Sequence, residues 1–212
     1  MKNKIEQPKV SMETPLAALQ LSSLSPKDEF SGCMITDCLI EYQEAERVSF
    51  EKTIFKNVTI TESSLGGIEL TDVIFENCDL SNIDFREAFV HRTEFRHCKM
   101  IGTDFTRGRF KNVRIRDCVG ELASFRFGNL KQVAFENSSL VSSDYYQASL
   151  DDVSFSECNI DQAMLEGCKL KGIDLSDSEF SSLKVDIQDL TGCIISAGQA
   201  ATFVGMLGLV IK

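Results

Sequence analysis

Eight cysteines, two histidines and several neighbouring carboxylates are the side chains of this 212-residue chain best suited to chemistry. Cysteine in such number suggests a disulfide framework or a zinc site, and cysteine with histidine suggests a nucleophile and its base. Their spacing argues otherwise. No C-x-x-C pair occurs, and Cys38, Cys78, Cys98, Cys118 and Cys158 differ by multiples of twenty. Together with Cys33, Cys168 and Cys193 they occupy one position of a five-residue pattern, where a free cysteine acts as a small buried hydrophobe. No native disulfide is assigned. His91 and His97 stand beside no recognisable nucleophile and are read as solvated. Asp151-Asp152 offers paired carboxylates for acid–base work, but a convex surface provides no cleft in which to use them. Gly66-Gly67 precedes no helix to bind phosphate, and neither a P-loop, a dinucleotide fingerprint, an HExxH helix nor an EF-hand loop is present. No catalytic residue, metal or cofactor is expected.

The elements that carry these residues follow from one periodicity. Taking every fifth residue from Phe30 to Ile195, 32 of 34 positions hold a large apolar side chain, and only Ala45 and Gly120 depart. Twelve of the 15 Phe fall on this register. The position two residues earlier is small and mostly uncharged, and the two registers together contain a single charge, Asp28. A period of five fits neither a helix nor a strand. Two residues of every five face inward and three face outward; Phe95 is inward, stacked between Phe75 and Ile115, and Glu94 is outward.

Hydrophobic residues at 43% and charged residues at 25% argue for a real core, and 13 Gly with 3 Pro exclude collagen-like and proline-rich classes. The formal charge of -10 disfavours direct binding of nucleic acid or an anionic membrane. No stretch is apolar enough to span a bilayer and Met1 to Val10 lacks a signal-peptide core, so a cytoplasmic protein is expected. A regular ladder of outward Thr, as an ice-binding face needs, is absent.

The pattern resembles the A(D/N)LXX unit of the pentapeptide repeat proteins, matched by Cys78-Asp79-Leu80-Ser81-Asn82, Ile83-Asp84-Phe85-Arg86-Glu87, Thr103-Asp104-Phe105 and Ile173-Asp174-Leu175-Ser176-Asp177. The resemblance implies an all-β fold, a right-handed quadrilateral β-helix in which four pentapeptides make one square coil. With coils about 4.8 Å apart, residues 28–195 would form about eight coils. Residues 1–27 then form an N-terminal extension and cap, and 196–212 a C-terminal helical cap with a terminal strand. Leu19 and Leu24 lie one step off register with Phe30, which suggests an N-terminal coil joined by a one-residue slip. Residues 1–15 are expected to be loose or draped along the rod.

The tail, with Asp189-Leu190-Thr191-Gly192, Gln199-Ala200 and Leu207-Gly208-Leu209, is similar to that of the Qnr quinolone-resistance proteins, as is the stretch from Phe85-Arg86 through Arg96-His97-Cys98 to Gly102-Thr103-Asp104-Phe105. That resemblance implies a head-to-head homodimer, here through Phe203, Met206, Leu207, Leu209, Val210 and Ile211, and binding to DNA gyrase and topoisomerase IV with relief of fluoroquinolone poisoning. The projecting loops of well-known Qnr members have no counterpart, because the register runs from 30 to 195 without insertion. Charge is banded: residues 28–85 carry net -10, residues 86–116 net +6 and residues 132–190 net -9. Acidic ranks on a rigid rod would imitate DNA in a basic groove. Asp144, Asp151, Asp152, Asp161 and Glu166 are the candidate contacts, and Glu51, Glu62 and Glu69 lie toward the distal tips. A scaffold or toxin-immunity protein with a non-topoisomerase partner is the alternative.

Overall fold

Two inward side chains in every five residues oblige the backbone to turn once per five. From Lys27 to Gly172 every fifth residue has positive φ, without a gap, and all but Lys27, Arg47 and Leu122 stand two positions after a large apolar residue of the register. The left-handed region costs a residue bearing a Cβ about 1 kcal/mol and is easiest for Gly, Asn and Asp. Many corners accordingly carry these types, among them Asn57, Asn77, Asn82, Asn137 and Gly102. Gly102 has a second reason to lack a side chain, since a Cβ there would lie only 2.5 Å from Asn82 Oδ1.

The computed structural model describes residues 4–10, 16–19, 21 and 23–206. Four corners close a square coil of twenty residues, and the coils stack as a parallel β-solenoid of about seven turns. The strands are β1 (Ala17–Ala18), β2 (Glu29–Ser31), β3 (Cys33–Thr36), β4 (Leu39–Glu41), β5 (Ser49–Lys56), β6 (Thr59–Thr61), β7 (Glu69–Glu76), β8 (Phe89–Arg96), β9 (Arg109–Arg116), β10 (Asn129–Glu136) and β11 (Ser149–Ser156). Each rung pairs with the residue twenty on: Phe50 with Leu70, Leu70 with Val90, Val90 with Phe110, Phe110 with Leu130 and Leu130 with Leu150. β5 and β7 to β11 bend around the corner between the first face, centred on Leu70, Val90 and Phe110, and the second, centred on Phe75, Phe95 and Ile115. The third face opens with the short ladder of β4 and β6, Ile40 opposite Ile60, and beyond it the third face (Leu80, Met100, Leu140) and the fourth (Phe85, Phe105, Phe125) are held by single parallel bridges such as Asp79 to Lys99 and Asp84 to Asp104. Beyond Asp186 the chain makes a 3-10 turn, Ile187–Leu190, in place of a further regular strand.

The interior is a set of stacked columns. Phe75 lies 4.6 Å from Phe55 and 5.0 Å from Phe95, the latter ring parallel within 1°. Phe125 stacks on Phe105 at 5.3 Å and on Tyr145 at 5.1 Å. Each fully buried ring contributes about 1.5–3 kcal/mol by area. Gly120 departs from the register without leaving a void, because Leu140 Cδ2 and the Met100 methyl close over it. The cysteine column is buried from Cys78 to Cys158 with Cys38 at its more exposed end; burial holds the Cys158 thiol up at about 11.

The N-terminal expectations gain detail, and that of Glu94 as a surface residue is corrected. At the N-terminal junction β1 pairs Ala17 with Cys33, an offset of sixteen: three pentapeptides and one extra residue, so the one-residue slip is there and the coil is four residues short. Leu21 and Leu24 nonetheless close over the core there. Residues 4–10 are draped along the rod, the Glu6 N–H donating to Asn112 Oδ1 at 3.3 Å and the Lys9 N–H to Asp72 Oδ1 at 2.9 Å. Glu94 is outward in register yet only 4% exposed. Its carboxylate accepts two bonds from Arg96, at 2.6 and 2.8 Å, and lies 3.8 Å from Arg114 of the next rung. It is buried on the outside of the sheet, with cationic partners above and beside it.

The outward acids also set the response to pH. Asp84 accepts two bonds from the Arg86 guanidinium, at 2.6 and 2.9 Å, and one from Ser64 Oγ. The Arg86 guanidinium is the main cause that holds its carboxyl down at about 2. A depressed folded-state pKa stabilises the rod above the ordinary carboxylate range and loses that contribution as pH falls toward 2. Thermal melts of the wild type should therefore drop between about pH 4 and pH 2, and Asp84→Asn should be less stable at neutral pH and flatter across that window. Parallel curves for the two proteins would exclude this contribution.

Candidate partner-binding surface

A rod with a filled interior has only its faces and ends to work with. Among the described residues no group of three His, Cys, Asp or Glu could hold a metal ion, and no helix is long and apolar enough to cross a membrane. Hollows on the surface of the described residues are shallow and polar or lie within the N-terminal segment itself. Function has to be read from charge and exposure along the faces.

The five candidate acids do not share one face. Asp144 and Glu166 lie on the fourth face, Asp161 on the third and Asp151 on the first, while Asp152 is the corner residue between the first and second faces. At least three of them have partners within the rod. Asp144 accepts from Arg126 at 2.7 Å and from the Tyr146 N–H. Asp161 Oδ1 accepts from the Ser181 N–H and hydroxyl and from the Ser182 N–H, all within 3.0 Å. Those serine donors hold its carboxyl down at about 2, and the contacts tie the coil that ends near Phe180 to the one before it. Asp151 pairs with Lys131 at 2.8 Å, both exposed, a pair worth little in water. The contacts of Glu166 are backbone ones, and its side chain is half-buried.

At the C-terminal end α1 (Ala200–Met206) forms as expected. Phe203 packs on Phe180 with ring centroids 5.8 Å apart, so this member of the dimerisation set serves at least in part to cap its own rod. Met206 ends the helix; Leu207, Leu209, Val210, Ile211 and the terminal strand lie outside the described residues. Gln199, which the apolar pattern did not single out, is the polar plug of this end. Its Nε2 donates to the Leu175 and Ser178 carbonyls at 2.8 Å each, and its Oε1 accepts from the Ser196 N–H. Open strand edges need such partners to avoid pairing with another chain.

Other surface residues escaped the sequence reading. Phe89 and Phe127 are 41% and 43% exposed, and with Phe203 they are the three Phe off the register. That departure was the available signal. Arg126 lies over both Phe127, at 5.5 Å, and Tyr146, at 4.7 Å. His97 is exposed as expected, but His91 is half-buried beside Arg92, which reaches its ring at 3.2 Å. Burial, then the charges of Arg92 and Lys111, push the His91 imidazole below its ordinary value.

Comparison with known proteins fits this geometry. The family described as "Pentapeptide repeat region" matches residues 68–145, and "Pentapeptide repeats (8 copies)" matches residues 146–177. An uncharacterized protein of Bacillus subtilis, YisX, is 36% identical over 110 residues, 52% of this chain and 52% of that one. The pentapeptide repeat protein QnrB4 of Escherichia coli is 46% identical over 44 residues, 21% of this chain and 20% of QnrB4. The matched region thus spans about half of one curated relative and a fifth of the other. Among solved structures, QnrB1, a plasmid-mediated fluoroquinolone resistance protein, aligns over 93% of this chain and 98% of its own at 20% identity, with a TM-score of 0.46. HetL, a pentapeptide repeat protein involved in heterocyst differentiation regulation in the cyanobacterium Nostoc, aligns over 82% and 91% at 14% identity, with a TM-score of 0.47.

Proposed function

This chain belongs to the pentapeptide repeat family and resembles its Qnr members, and from that premise we propose that it is a non-enzymatic, dimeric DNA mimic that binds type II topoisomerases, DNA gyrase and topoisomerase IV, and modulates their response to fluoroquinolones. The observation that carries the reading is a charge density. Residues 132–190 hold net -9 and, at twenty residues and about 4.8 Å per coil, occupy about 14 Å of rod. That is one net charge per ~1.6 Å, beside about 1.7 Å for duplex DNA. A groove built to neutralise a phosphate duplex meets a comparable line charge on a surface that does not bend.

Two copies joined head to head through the C-terminal segment would bring two such stretches together across a two-fold axis, about 18 formal charges in line, and a two-fold enzyme is best met by a two-fold ligand. Among the candidate acids, Asp151, Asp152 and Glu166 are the ones to test by charge reversal, because Asp144 and Asp161 hold the fold. Their combined reversal to Lys should weaken gyrase capture, reversal of Glu51, Glu62 and Glu69 should weaken it less, and both proteins should bind less as salt rises, since screening acts over about 8 Å at physiological strength. In a supercoiling assay the wild-type protein should alter gyrase activity or its inhibition by ciprofloxacin. No effect on either would reject the topoisomerase reading in favour of a scaffold or immunity role with another partner; greater damage from the distal set would reject the central placement alone.

A further inference from the structure

The middle of the first face carries charge of the opposite sign. Parallel register sets Phe89, Arg109 and Asn129 in one row and His91, Lys111, Lys131 and Asp151 in the next. Arg109 and Lys111, and Arg107 at the preceding corner, are exposed and make no ion pair among the described residues. Placing Lys111 one rung from Lys131 sets like charges side by side, which sheets ordinarily avoid. Asp151 relieves only the far end.

Two exposed rings border the same cations. Phe89 neighbours Arg109 on the adjacent rung, and Phe127 stands at the corner one coil beyond Arg107. Neither ring belongs to the inward register, so packing of the rod does not require an aromatic at either position. Exposed aromatics beside arginine are the composition of interaction hot spots. Glu69 and Glu87 share a hollow with Phe89, Arg107 and Arg109, and Lys131 is paired with Asp151, so the least compensated cation of the face is Lys111.

We propose that the first face from Phe89 to Lys131 is a docking surface for an acidic segment of a partner protein that also bears apolar side chains. Its carboxylates seat on Arg109 and Lys111, and an apolar side chain rests on each ring, two coils or about 10 Å apart. A nucleic acid fits less well. The positive band is flanked along the rod by segments of net -10 and net -9, so a polyanion longer than the patch runs into repulsion on both sides, whereas a short acidic peptide ends before reaching it. The proposal is independent of the topoisomerase reading, which concerns the acidic bands.

Fluorescence anisotropy with a labelled peptide of Glu-Glu-Phe repeats tests it on the full chain. Wild-type protein should bind at physiological salt, and the double variant Arg109→Glu with Lys111→Glu should bind at least about tenfold more weakly. Phe89→Ala with Phe127→Ala should lose about fivefold or more. Lys184→Glu, a cation removed from the distant acidic band, should stay within about twofold, since it lies beyond the screening distance. Lys111→Gln removes the charge while keeping a polar side chain and serves if the double reversal fails to fold. Absence of binding by the wild type, an equal loss in Lys184→Glu, or tighter binding of a thymidine oligonucleotide of equal charge would each overturn the proposal.

Discussion

Replacing Phe95 by Asp is expected to abolish the cooperative thermal transition followed by far-ultraviolet circular dichroism. Phe95 has no exposed surface, its ring is parallel to Phe75 at 5.0 Å, and Ile115 closes the other side. Losing the ring costs about 3–5 kcal/mol, and a carboxylate without a donor in that column adds several more. The sum reaches the whole stability of an ordinary domain, about 5–15 kcal/mol. Glu62→Lys, at an exposed corner, should stay within about 0.5 kcal/mol of wild type. The third member of the series is Glu94→Lys, which leaves Arg96 and Arg114 facing a new cation in a covered site and should cost about 3–5 kcal/mol. A wild-type melting curve for Phe95→Asp would refute the inward stack, and one for Glu94→Lys would refute its burial between arginines.

Truncation after Ile195 is expected to turn a dimer into a monomer in sedimentation experiments. The removed segment contains Phe203, Met206, Leu207, Leu209, Val210 and Ile211, an apolar set too large to leave in water on a lone chain. It also contains Gln199, whose loss frees the Ser178 carbonyl and leaves that of Leu175 with only the Ser178 N–H. Loss of the plug and loss of the apolar tail are separable. Gln199→Ala should lower the melting temperature by an amount equivalent to about 1–3 kcal/mol while leaving the oligomer intact. An unchanged sedimentation coefficient after truncation would reject the C-terminal dimer.

The interior was legible in the sequence because a period of five has no competing explanation in helix or strand, and because each inward position repeats its chemistry twenty residues later. Phe55, Phe75 and Phe95 announce a column before any coordinate is known. The scatter of the candidate acids was legible too: the remainder on dividing a residue number by twenty fixes its face, and 144, 151, 152, 161 and 166 do not share one. The burial of Glu94 was harder, because it comes from arginines on the outer surface and not from the core, and hydrophobic patterning does not see a covered charge. The N-terminal contacts were beyond that pattern altogether. Asp72 and Asn112 receive backbone N–H groups, and a backbone donor has no side-chain signature.

Those contacts change how the chain can assemble. In a solenoid each repeat touches only its neighbours, so coils add and fray one at a time. Glu6 meets Asn112 and Lys9 meets Asp72 across 106 and 63 residues, which ties residues 6 and 9 to coils that do not yet exist when those residues emerge from the ribosome. Synthesis is vectorial, at about 5–20 residues per second, so the N-terminal segment waits several seconds for its seat and is the last part of the first half to settle. Once seated, it latches the coils of β7, β8 and β9 to one another from outside, and unwinding any one of them requires the latch to open first.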